Sequence, residues 1–170
     1  MSIESIFFYL LAILALSSAL LMITRKSPVA SVLYLILNFF SLAGLYLTLN
    51  AQFIAVIQVI VYAGAIMVLF LFVVMLLRLG DEKALAEKLT YRKLIAVGLS
   101  LALFLEIAYI LGVQGTEKYA TQAGNAAAIG TVEFIGTELF TNYLFPFEVT
   151  SIILLAAIVG AVVLAKRHFE

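Results

Sequence analysis

Long apolar runs interrupted by short polar clusters dominate the chain, and they predict an all-α architecture. Five stretches are long enough to cross a bilayer: 3–23, 29–49, 53–77, 94–113 and 147–165. A hydrocarbon core of about 30 Å needs roughly 20 helical residues at about 1.5 Å each. Ser27 and Pro28 offer a cap and a first-turn residue for the second stretch. Only Asn50-Ala51-Gln52 separates the second stretch from the third, so these two helices form a tight antiparallel hairpin. The first stretch has no basic segment ahead of it and is read as a retained helix, not a cleaved signal.

The polar intervals differ in charge. Nine of the ten Lys and Arg residues follow the first, third and fifth stretches or flank the fourth, and with five spans these positions share one side. Only Lys118 lies opposite. The excess of basic residues on cytoplasmic loops then places the N-terminus outside and the C-terminus in the cytoplasm. Gly80–Lys93 reads as a charged helix or loop at the inner surface. The interval 114–146 is expected outside, as part of a single membrane domain spanning 1–170. Within it Val132, Ile135, Leu139, Phe140 and Tyr143 recur at helical spacing, which suggests a short amphipathic helix or an ordered loop.

Composition sharpens this picture. Hydrophobic residues make up 65% of the 170 and charged residues 12%, about half the fraction usual in soluble domains. Lipid or apolar protein must therefore surround most of the chain. With no cysteine and one histidine, His168, the chain has no thiolate cluster ligands and no histidine cluster. Zero formal net charge gives no sign of a nucleic-acid partner.

Few polar residues sit inside the apolar runs. Glu106 is the one acid well within a span, where it either relays protons or hydrogen-bonds a neighbouring helix. Asn38 and Ser41 share a face of the second helix and Ser17 and Ser18 lie in the first, positions typical of interhelical hydrogen bonds. Glu148 follows Pro146, where the first turn of the last helix would favour an acid. The third run carries Gln58 and Tyr62, four apart and so on one face of a regular helix, beside the small triplet Ala63-Gly64-Ala65. By residue type alone, the triplet is more simply explained by close helix packing than by chemistry.

Three segments then point to a family. "FIAVIQVIVYAGAIMVLFLFVVMLL" resembles the third membrane helix of subunit J of proton-translocating NADH-quinone oxidoreductase, respiratory complex I. "SPVASVLYLILNFFSLAGLYLTLNAQF" resembles its second helix and hairpin, and "LFTNYLFPFEVTSIILLAAIVGAVVLAKR" its last helix. The resemblance implies a core membrane-arm subunit in the bacterial cytoplasmic (inner) membrane, packed against subunits A, H and K. It implies that NADH, FMN, iron–sulfur clusters and quinone are handled by other subunits, with no cofactor on this chain. It also implies a π-bulge switch around Tyr62 and Gly64, read here as Tyr62, Ala63, Gly64, Ala65 and Met67, while Gln58, Asn38 and Glu106 are the polar or proton-path candidates that their own positions suggest. The alternatives are the equivalent subunit of a ferredoxin- or hydrogenase-linked relative, and a purely structural membrane spacer. A free-standing transporter is disfavoured by the absence of an inverted repeat.

Overall fold

The computed structural model describes residues 3–77, 91–114 and 126–166. The chain is helical in all three stretches. Helix α1 spans Ile3–Thr24 and α2 spans Pro28–Thr48. A third helix runs from Gln52 to Leu76 in three registers: α3 (Gln52–Ile57), a π segment (Gln58–Ile66) and α4 (Met67–Leu76). Then follow α5 (Tyr91–Gln114), α6 (Ala126–Ile129), α7 (Val132–Phe140) and α8 (Leu144–Ala165). Among the described residues, α1, α2, Gln52–Leu76 and α8 are long and apolar enough to cross a membrane, while α5 carries a shorter apolar stretch, Ile95–Ile110.

Local chemistry sets the joints. Ser27 caps α2, its hydroxyl accepting from the Ala30 amide, and Pro28 occupies the first turn, where its missing N–H has no partner to lose. At the other end of α2, Asn50 adopts φ 60°. The Asn50 amide donates to the Leu47 carbonyl at 3.1 Å and the Ala51 amide to the Tyr46 carbonyl at 2.9 Å. This is a Schellman termination, with asparagine in the left-handed position that glycine usually fills. It reverses the chain within two residues and starts α3 at Gln52.

α1, α2 and the third helix form a small bundle, with α2 packed against both neighbours. Without a strong hydrophobic drive in lipid, close approach of small residues and interhelical hydrogen bonds hold such helices together. Ala15 and Ser18 of α1 and Ser41 and Ala43 of α2 are buried there. At Gly44 a Cβ would stand 2.8 Å from Leu11 Cδ1, so α1 rests directly on the α2 backbone.

Of the remaining helices, α7 meets the start of the third helix. Among the described residues, α5 packs against no other element, and α8 touches only α7, where Phe140 meets Phe147 edge to face at 5.1 Å. α7 does form in the interval read as an amphipathic helix or loop, but Tyr143 lies beyond it, at the cap of α8. α8 begins at Leu144, so Pro146 falls inside its first turn and Glu148 is one turn further along than the sequence suggests. The first amides of a helix have no intrahelical acceptor, which is why proline is tolerated there. Of the Gly80–Lys93 segment, residues up to Thr90 lie outside the described residues and Tyr91–Lys93 open α5; residues 115–125 and His168 also lie outside.

Candidate functional site

The third helix changes register in mid-span. At Met67 the amide donates to the carbonyl of Tyr62, five residues back, where a regular α-helix would reach four. Residues 58–66 all take this wider turn. The burial pattern records the change: Ala55, Gln58, Ala63 and Met67 form the face covered by α2, at steps of three, five and four residues. An α-helix keeps one face with steps of three and four. The five-residue step is the extra residue of the π segment seen from outside.

That step separates Gln58 from Tyr62. The spacing of four expects them on one face, but Gln58 is buried at 7% exposure while Tyr62 is 45% exposed. Ala63 occupies the place Tyr62 would hold in an α-helix. The Tyr62 ring is turned aside against Phe39 of α2, edge to face, with centroids 5.9 Å apart. The aromatic partner was not evident in the sequence, because Phe39 and Phe40 are adjacent and only the register decides which one meets Tyr62.

The small triplet divides in the same way. Ala63 is buried at 4%, whereas Gly64 and Ala65 are exposed. A Cβ at Gly64 would meet only the Val59 carbonyl oxygen of its own helix, at 3.1 Å, and nothing from another described helix. Within this chain, close packing on α2 therefore explains Ala63 and does not explain Gly64 or Ala65. Met67, placed at the edge of the expected bulge, is the first residue of α4 and is buried against α2.

Asn38 and Glu106 lie elsewhere. The Asn38 amide nitrogen donates to the Ala15 carbonyl at 2.7 Å and to Ser18 Oγ at 3.3 Å, and Ser18 Oγ itself donates to Ala15 at 2.9 Å. This network ties α2 to α1. Ser41 is buried too, but its hydroxyl donates to Leu37 of its own helix. Glu106 is on an exposed face of α5, which brings it to none of the other candidate residues. The structure thus groups Gln58, Ala63 and Met67 on the face covered by α2, sets Tyr62 beside that face against Phe39, and leaves Glu106 outside it.

Fold and site together define a polytopic helical membrane protein whose distinguishing internal feature is a π-helical break in one span. Residues 18–164 match the family of NADH-ubiquinone/plastoquinone oxidoreductase chain 6, and the chain belongs to that family. It is 38% identical to NADH-quinone oxidoreductase subunit J of Rhodobacter capsulatus, over 95% of this chain and 81% of the relative. Identity to NADH-ubiquinone oxidoreductase chain 6 of Marchantia polymorpha is 40%, over 95% and 86%. The F(420)H(2) dehydrogenase subunit J of Methanosarcina mazei is 38% identical over 97% and 92%.

Proposed function

We propose that this chain is a core membrane-arm subunit of a proton-translocating NADH-quinone oxidoreductase and that its third helix couples quinone reduction to proton movement by changing register. Family membership supports the assembly. The observation that carries the mechanism is the nine-residue π segment, with Ala63 in place of Tyr62 on the α2 face. A regular α-helix continued from Gln58 would present Tyr62 and then Ile66 to α2, at steps of four. Passing between the two registers turns the Met67–Leu76 half by about 100°, one residue's rotation. It also exchanges a methyl group for a phenol at the interface. An exchange of that size opens or closes a path for water beside the helix without this chain binding any ligand. A quinone-linked event in another subunit must favour one register over the other, since only differential interaction shifts such an equilibrium.

In this reading α5 is the fourth of five spans, the N-terminus is outside, the C-terminus is cytoplasmic, and the membrane is the bacterial inner membrane. The bare faces of α5 and α8 lie against lipid and subunits A, H and K. Electron-carrying groups belong to other subunits; without cysteine this chain has no thiolates to hold an iron–sulfur cluster. The F(420)H(2)-linked relative favours one variant, a complex with the same membrane subunit and a different electron donor.

Isolation in mild detergent, with mass spectrometry of the copurifying proteins, tests the assignment. Recovery with subunits A, H and K and with NADH-binding subunits supports it. Recovery with a different donor module selects the variant. A chain that purifies alone and carries substrate flux when reconstituted overturns both.

A further inference from the structure

The third helix starts without a side-chain cap. Its N-cap residue is Ala51, whose methyl side chain has no acceptor for the free amides of the first turn. The Phe53 amide is nevertheless bonded. It donates at 3.1 Å to the carbonyl of Gly130, in the turn between α6 and α7. That turn lies flat on the hairpin. A Cβ at Gly130 would overlap the Asn50 carbonyl oxygen and stand 2.9 Å from its carbon and 3.2 Å from Ala51 Cα. All three atoms are backbone, so no side chain can swing away to make room. On the hairpin side, the chain is pinned by the Schellman bonds of Asn50 and Ala51. On the other side Thr131 holds both neighbours of Gly130's turn: its hydroxyl donates to the Ala128 carbonyl at 2.9 Å and accepts from the Phe134 amide at 3.2 Å.

We propose that Gly130 is a positioning residue: its carbonyl serves as the missing N-cap of the third helix and clamps the hairpin end of that helix to the segment leading into α7 and α8. Glycine is required because only a residue without Cβ lets the two backbones approach so closely. The clamp stands on the contacts just described. Its consequence for the π segment rests on the register change proposed above. With Gln52–Ile57 held at the hairpin, a change of register within Gln58–Ile66 cannot be absorbed by rotating the α3 end. The rotation must appear in α4.

Residue-resolved hydrogen exchange on the intact complex tests the clamp. In the wild-type complex the Phe53 amide is expected to exchange slowly, although amides in the first turn of an uncapped helix are normally open to exchange. Gly130→Ala is expected to speed its exchange about fivefold or more, the loss typical of a helix cap. Gly136→Ala is the control, since a Cβ there meets nothing within 4 Å, and it should leave Phe53 unchanged. A Phe53 amide that exchanges freely in the wild-type complex overturns the proposal, and this arm needs no variant to fold. Unchanged exchange in an assembled Gly130→Ala complex overturns it as well. Neither result depends on whether the π segment ever changes register, so failure of the clamp and failure of the switch are read separately.

Discussion

Ala63→Leu is the substitution that presses hardest on the register of the third helix. Position 63 is 4% exposed in the π register and packed on α2, so three added carbons have no space there. Overfilling a packed interface costs about 1–3 kcal/mol, which shifts a two-register equilibrium about 5- to 150-fold. In an all-α register the same position turns about 100° away from α2, and the leucine is accommodated. The substitution should therefore populate the α register and lower coupled turnover, with the complex still assembled. Ala65→Leu adds the same carbons at an exposed position and should leave the register unchanged. The assay pairs quinone-reduction rate and proton translocation in reconstituted complex with imaging of the helix. An assembled Ala63→Leu complex that keeps its π segment and full coupled turnover would refute the idea that the α2 interface selects the register.

Three further outcomes are expected. Asn38→Leu removes the bond to Ala15, and interhelical bonds in membranes average about 0.6 and reach about 1.7 kcal/mol. Thermal melting of the complex should therefore fall slightly with pumping intact; lost pumping at unchanged stability would instead put Asn38 in a proton path. Glu106→Gln should leave assembly intact and lower the protons moved per electron pair if Glu106 relays protons, whereas unchanged pumping rejects that role. Single cysteines at Ala84 and Ala126, probed on whole cells with an impermeant maleimide, should label at Ala126 only, given the nine-to-one basic asymmetry. Labelling at Ala84 alone reverses the orientation.

How far the molecule can be read from its sequence depends on whether the signal is local. Apolar run length announces the helices, and Ser27-Pro28 announces the start of α2, because solvation and capping act on neighbouring residues. The hairpin is legible for the same reason, although the left-handed Asn50 that makes it is a weaker sign than glycine. The π segment is announced only by the family resemblance, which puts a bulge at Tyr62–Met67, and not by the residue pattern itself. From Phe53 to Leu77 nearly every position is apolar, so burial leaves no periodicity from which to read a register. The two polar markers, Gln58 and Tyr62, suggest four-residue spacing and so imply one shared face. The structure separates them because one extra residue is inserted between the faces they occupy. Gly130 was invisible for the opposite reason: its partners, Asn50 and Phe53, lie far away along the chain, and a glycine in a loop looks like any other.

Coupling through the third helix requires that Gln58–Ile66 take two registers linked to quinone chemistry. High-resolution imaging of the intact complex, at rest and during turnover, distinguishes these registers. Two populations are expected: one with the π segment and Ala63 against α2, the other α-helical with Tyr62 in its place and α4 turned by about 100°. A π segment unchanged in every state of an actively pumping complex, with Ala63 always on α2, would contradict this coupling.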